Sequence, residues 1–334
     1  MGSFLLRRTL QLILVLWGGA TLLFIIFNAL PTNPAERFAS GNGNRNPNPQ
    51  VVENLEKKFG IDKPVPEQYV DYMTGLLHGD FGNSYVNSEP VSDIIKQKLP
   101  PSLRLAFWAI VVESVIGISA GALSARKRNS VGDWVTTLTA VILSAIPVFV
   151  LAYLIKQVTG VYAYQHDWPS WASFPTIGYG PNEYFLGIIP VNGTWKYMVQ
   201  PVFVLASVGT AILARITRTS MLETMRLDHV RTARAKGLTE KKVMSRHVRR
   251  NAMIPVVTVI GIDFGTLVGA AILTETVFNL PGLGSTIVAG AKAFDAPVVM
   301  GLTIIVTLVY GLASMAVDIS YAYFDPRVKL GDDR

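Results

Sequence analysis

The apolar positions of this chain gather into six long runs, approximately Thr9–Leu30, Leu105–Leu123, Val135–Ile155, Val199–Ile216, Met253–Val277 and Val298–Tyr321. Each has, or nearly has, the roughly 20 residues that a bilayer hydrocarbon core demands. Lipid offers no partner to a bare backbone amide, so every run is predicted to be helical. Pro201 is expected to open the fourth. The first run is longer than the apolar region of a secretory leader, and "NALPTNPAERF" after it has no small-x-small cleavage site, which predicts an uncleaved anchor. The expected fold class is an all-α integral membrane protein with six transmembrane helices and both termini cytoplasmic.

Polar stretches separate the runs. Residues 31–104 form an insertion in which "ASGNGNRNPNPQ" is rich in turn formers. "VVENLEKKFG" predicts a short helix closed by Gly60, "PEQYVDYMTGLL" a second with Pro66 in its first turn, and "VSDIIKQKL" a third that stops before Pro100-Pro101. Residues 156–198 are rich in aromatics, Pro and Gly, as expected of a belt at the membrane interface or, alternatively, of a cover over a substrate entrance. Residues 279–297 are too short to cross and predict a turn and a short helix. The expected division is 1–30 as N-terminus and first span, 31–104 as the extracytoplasmic insertion, and 105–334 as a core carrying a cytoplasmic loop at 217–252.

Composition supports membrane residence: half of the residues are hydrophobic and 16% are charged. The net charge of +7 raises the question of nucleic acid, and its distribution answers it. With the N-terminus inside, 19 Lys/Arg fall on the cytoplasmic side and 11 outside, while acids run the other way, 7 against 12. That is the bias that orients membrane proteins, and it leaves no nucleic-acid role to explain. With no cysteine, disulfide and thiolate chemistry are excluded. The four histidines, His78, His166, His229 and His247, are dispersed, so no metal cluster is expected. No phosphate-loop, H-E-x-x-H, G-x-S-x-G or dinucleotide motif occurs, so no catalysis by this chain is expected. A multispan chain without chemistry of its own is a conduit, and any active transport must draw energy from an ion gradient or another subunit.

The densest charge lies in "DHVRTARAKGLTEKKVMSRHVRRNAMIP", residues 228–255, with eight Lys/Arg and two acids. Read as a helix, Asp228–Leu238 puts Val230, Ala233 and Gly237 on one face and Arg231 and Arg234 on another. The small-residue face is expected to let another protein approach closely. Gly237 would stop the helix, and Thr239 would cap a second, Glu240–Asn251, leading into the fifth span. A basic loop can also serve only to fix topology and grip lipid headgroups, but three bases suffice for that at 126–128.

"RTARAKGL" followed by "RHVRRNAMIPVVT" resembles the cytoplasmic EAA loop of ABC importer permeases, in the dipeptide/oligopeptide/nickel branch. The general pattern Glu-Ala-Ala-x-x-x-Gly is met here by Arg231, Thr232, Ala233 and Gly237, so the second Ala and the Gly match. "LPTNPA" (30–35), "GIDKPVPEQY" (60–69), "GDFGNS" (79–84), "LPPSLRL" (99–105), "ETVFNLPGLG" (275–284) and "FDPR" (324–327) follow that branch's order, so the resemblance covers nearly the whole chain. It implies half of a translocation pore for peptides. Its implied partners are a homologous second permease, two ATPase subunits and an extracytoplasmic solute-binding protein. No cofactor is implied for this chain, with ATP and Mg bound in partner subunits. The implied coupling segment comprises Asp228, Val230, Arg231, Thr232, Ala233, Arg234, Ala235, Lys236, Gly237 and Leu238. Nickel, glutathione or oligosaccharide cargo is the alternative within the family, and an ion-coupled secondary transporter the alternative outside it. The latter would explain acids within spans but leaves the basic loop without a role.

Four acids fall within the runs: Glu113, Asp263, Glu275 and Asp318. A charge at mid-span costs roughly 2.5–3.5 kcal/mol on the insertion scale, so it should face protein or water. Gly261, Gly265 and Gly269 form a small-x-x-x-small packing stripe, and Asp263 points about 160° from its centre. Asp263, and with it Glu113, is expected to face the pathway and meet cationic or amine groups of cargo. The plainer expectation is a neutral acid bonded to a Ser or Thr of a neighbouring span.

Overall fold

The computed structural model describes residues 2–29, 33–40, 48–178 and 180–324. Residues 41–47 of the turn-rich stretch, the first half of "LPTNPA", all but Phe324 of "FDPR", and the terminal bases Arg327, Lys329 and Arg334 lie outside the described residues. Of the acid Asp318, only its place in the last helix is described.

Among the described residues the chain is all-α apart from one short hairpin and an isolated bridge between Asn83 and Pro90. In order come α1 (Gly2–Ala29), α2 (Pro34–Ser40), α3 (Pro49–Phe59), α4 (Val65–Leu77), α5 (Val91–Arg126), α6 (Val131–Ala145), α7 (Val148–Lys156) and α8 (Ala163–Gln165). A wide π turn at Gln157–Tyr162 joins the last two. Strands β1 (Tyr184–Phe185) and β2 (Ile189–Pro190) pair antiparallel. Then follow α9 (Thr194–Thr224), α10 (Asp228–Ala235), α11 (Glu240–Lys242), a second π turn at Val243–Val248, α12 (Arg249–Phe278), α13 (Leu283–Ala293) and α14 (Ala296–Phe324).

Among the described residues five helices are long and apolar enough to cross a bilayer: α1, α5, α9, the run Glu240–Phe278 through α12, and α14. The remaining predicted run, the third, Val135–Ile155, is not one straight helix. It breaks into α6 and α7, bent by 105°. The cause is Pro147, which disfavours helical geometry in the residue before it. Ile146 is accordingly extended at φ −82°, ψ 126°.

Two other boundaries move from their expected places. The helix begun at Val91 does not stop at Pro100-Pro101 but continues into the second span as one 36-residue helix. Prolines are tolerated in membrane helices when neighbours hold the flanks, and here Val91, Ile94 and Ile95 are buried against Leu283, Val298 and Leu302. Likewise Pro201 lies inside α9, which starts at Thr194 after Gly193 at φ 86°. The helix ending at Phe59 is closed by Gly60 at φ 70°, a conformation that favours glycine.

The described residues form two compact units, one within 2–100 and 282–311, the other within 101–281 and 312–324. In the first, the turn 80–90 is tied to the end of α13. Ser84 Oγ donates to Asp295 Oδ2 at 2.5 Å, and the amide of Tyr85 donates to Oδ1 at 3.0 Å. Burial, and then the Asp295 charge, push the Tyr85 hydroxyl up to about 12. Phe59 stacks on Tyr85, and Arg37 lies 3.8 Å over the Phe294 ring.

In the second unit α9 is central and packs on α6, α7 and α12. Glycines permit its approach to α5. A Cβ at Gly117 would lie 2.8 Å from Leu213 Cβ, and one at Gly121 2.7 Å from Thr217 Cβ. Arg218 of α9 forks onto Asp133 of α6, with Nε to Oδ1 at 2.7 Å and the second nitrogen to Oδ2 at 2.9 Å. Ser124 Oγ and the Asn129 amide also donate to this buried carboxylate. One ion pair thus joins α5, α6 and α9.

Removing one partner of a buried pair strands the other. Asp133→Asn is expected to destabilise the detergent-solubilised subunit by about 3 kcal/mol, measured by denaturant unfolding. A loss under about 0.5 kcal/mol, typical of a surface pair, would contradict this role.

Candidate functional site

The basic loop is an ordered element. α10 runs Asp228–Ala235, shorter than the expected Asp228–Leu238, and the amide of Lys236 donates back to Thr232 O. Gly237 follows at φ 77°, fully open, and the Leu238 amide donates to Ala233 O at 3.4 Å. Thr239 is extended at the start of α11 but makes no side-chain capping bond. The second expected helix, Glu240–Asn251, is present with a difference: it widens into the π turn Val243–Val248 before α12 begins. Such one-turn widenings recur at functional sites.

The orientation of α10 corrects one expectation. Val230 and Ala233, expected on a face open to another protein, are buried in the chain's own core with Ala125, Met221, Val243, Met244, Val248 and Ala252. Burying two apolar side chains removes them from water more cheaply than displaying them, and the spans nearby supply the apolar wall. The face left exposed carries Asp228, Arg231, Thr232, Ala235, Lys236 and Gly237. Leu238 packs on the rim of the core cluster. Arg234 turns back to Glu240, with bonds of 2.9 and 3.1 Å. Those bonds hold the Arg234 guanidinium above its ordinary value. Asn251 bonds His229 at 3.0 Å. The segment is therefore a short rod fixed through Val230 and Ala233 to the ends of α5, α9 and α12.

The two mid-span acids, taken separately in the sequence, are brought together. Glu113 of α5 is completely buried. Asp263 of α12 is half-buried, and its Oδ1 accepts from Thr266 Oγ at 2.7 Å, a partner on its own helix. Both carboxyls converge on Gly209 of α9, where a Cβ would lie 2.6 Å from Glu113 Cδ and 2.8 Å from Asp263 Oδ2. Gly209 was not singled out by sequence. The only signal is a glycine at mid-run, with none of the i, i+4 repetition that marks a packing stripe.

The predicted stripe behaves unevenly. Gly261 meets Val317 of α14, whose Cγ2 would lie 2.8 Å from an added Cβ, and Gly265 is buried. At Gly269 an added Cβ would meet nothing within 4 Å. A third span acid, Glu275, is buried and accepts from Ser102 Oγ at 2.5 Å. No three metal-ligating side chains cluster among the described residues.

Residues 117–330 match the family described as binding-protein-dependent transport system inner membrane component, and residues 1–106 match its N-terminal counterpart. The chain belongs to this family. It is the permease of a binding-protein-dependent ABC importer and an inner membrane component. It is 35% identical over 336 residues to the dipeptide transport system permease protein DppB of Alkalihalophilus pseudofirmus, covering 98% of this chain and 99% of that one. It is 31% identical to the probable peptide ABC transporter permease y4tP of Sinorhizobium fredii, covering 98% and 100%. It is 33% identical to the glutathione transport system permease protein GsiC of Escherichia coli K12, covering 98% and 99%. Membership implies ATPase, solute-binding and second permease subunits as partners, and a transport role for the chain itself.

The permease's glycines give a paired test. Gly209→Ala forces the Glu113 carboxyl from its seat and is expected to destabilise the isolated subunit by about 1–3 kcal/mol. Gly269→Ala adds a methyl to open space and is expected to stabilise it by up to about 1 kcal/mol. Equal effects in denaturant unfolding would contradict the geometry.

Proposed function

We propose that this permease forms half of the pathway for di- or oligopeptides, and that α10 with Gly237 is where an ATPase subunit docks. The single observation that carries the coupling role is the division of α10. Val230 and Ala233 key the rod into the spans, while Arg231, Thr232, Lys236 and Gly237 stay exposed. Motion imposed on the exposed face must reach α5, α9 and α12, because a close-packed core transmits displacement as a rigid body. ATP and Mg are bound in the partner subunits, and the permease contributes no catalytic group. The loop and both termini are cytoplasmic, in keeping with the excess of Lys/Arg there. A solute-binding protein delivers cargo on the opposite side, where the 31–104 insertion lies.

Peptide cargo is supported by the relatives named for dipeptide, peptide and glutathione transport. Within the pathway Asp263 is the residue that meets cationic groups, since it keeps an exposed part while Glu113 does not.

Gly237→Asp keeps a backbone conformation that Asp tolerates but places a charge where the ATPase must approach. In the complete transporter it is expected to lower binding-protein-stimulated ATP hydrolysis by roughly tenfold or more, with normal membrane insertion. Undiminished stimulation overturns the docking site. Separately, Asp263→Asn is expected to reduce uptake of Lys- or Arg-containing peptides by roughly tenfold relative to neutral ones. Equal uptake of both removes Asp263 from cargo recognition.

A further inference from the structure

The membrane-buried acids call for something beyond cargo contact. Glu113 has no exposed surface, and among the described residues no donor reaches either of its carboxyl oxygens. It is the only ionisable residue on α5 between Arg104 and Arg126, and Asp263 is the only one on α12 between Arg250 and Glu275. The stretch of α9 that meets them, between Tyr197 and Arg215, has none. Among the described side chains Asp263 is the only charged one acting on Glu113. The two carboxyls crowd the same glycine, Gly209.

Two bare carboxylates this close repel each other, and the fully buried Glu113 has no water to offset it. A buried oxygen without a partner is a further cost. We infer that Glu113 and Asp263 hold one proton between them, making a carboxylic acid–carboxylate pair seated over Gly209. Glu113 carries the proton and donates it to Asp263 Oδ2, since Oδ1 already accepts from Thr266. The proton enters from water and returns to it, and no other bond is made or broken. One negative charge remains at this depth and sits on the half-exposed partner, Asp263. This assignment does not depend on which cargo is carried.

The proton is a link between helices. It joins α5 to α12 past α9, and only while the present close approach lasts. A rearrangement that parts α5 from α12 has to move the proton or leave it without its acceptor. The site therefore binds a proton in one arrangement of the spans in preference to another.

Infrared spectroscopy of the complete transporter in lipid nanodiscs tests this at neutral pH. The difference between wild type and Glu113→Gln should show the loss of a protonated-carboxyl C=O stretch. Loss of ionised-carboxylate bands instead overturns the inference. In Asp263→Asn the Glu113 acid keeps its place but bonds an amide in place of a carboxylate, so its stretch should shift in frequency. An unmoved band overturns the pairing even where Glu113→Gln fails to assemble.

Discussion

A bilayer interior offers no partner to a bare charge or a bare amide, and the placement of the described carboxyls in and beside the spans follows from that constraint. Glu275 is bonded to Ser102, Asp263 to Thr266, and Glu113 is set against Asp263 over a glycine. At the edge of the spans Asp133 collects Arg218, Ser124 and the Asn129 amide. The Glu275, Glu113 and Asp133 contacts each join two or more helices, so satisfying the polar group and fixing the bundle are one event. The ion pair between α6 and α9 and the carboxyl pair between α5 and α12 act on a common helix pair, α5 and α9, whose approach is set by Gly117, Gly121 and Gly209.

The same constraint explains the basic loop. Its charges cannot enter the spans, so they form an outer face, while Val230 and Ala233 turn inward to an apolar wall built from span ends. Rod and bundle are thereby one body. A motor acting on Arg231 or Lys236 would be pushing on α5, α9 and α12 through packed side chains, with no flexible connection between.

Much of the helix layout was legible in the sequence, because hydrophobic run length depends on the solvent alone. The short helices of the insertion and the stop at Gly60 were equally readable from local signals. What was not legible depended on partners distant in the chain. Pro100-Pro101 reads locally as a helix end, yet packing of Val91, Ile94 and Ile95 carries the helix through. Pro147 sits in an unbroken apolar run, which hid the 105° bend. The face of small residues on α10 was visible, but not whether it met this chain or another. Glu113 and Asp263 were each visible as costly, but their meeting at Gly209 joins positions 113, 209 and 263, which no single-helix periodicity relates.

The most direct test of the account is site-specific cross-linking at the exposed face of α10 in the assembled transporter. The permease has no cysteine, so Thr232→Cys introduces its only thiol. With a short bifunctional thiol reagent, that position should join covalently to an ATPase subunit and be shielded from a soluble maleimide when the ATPases are present. A thiol equally reactive with and without the ATPases, and linked to neither, would contradict the account.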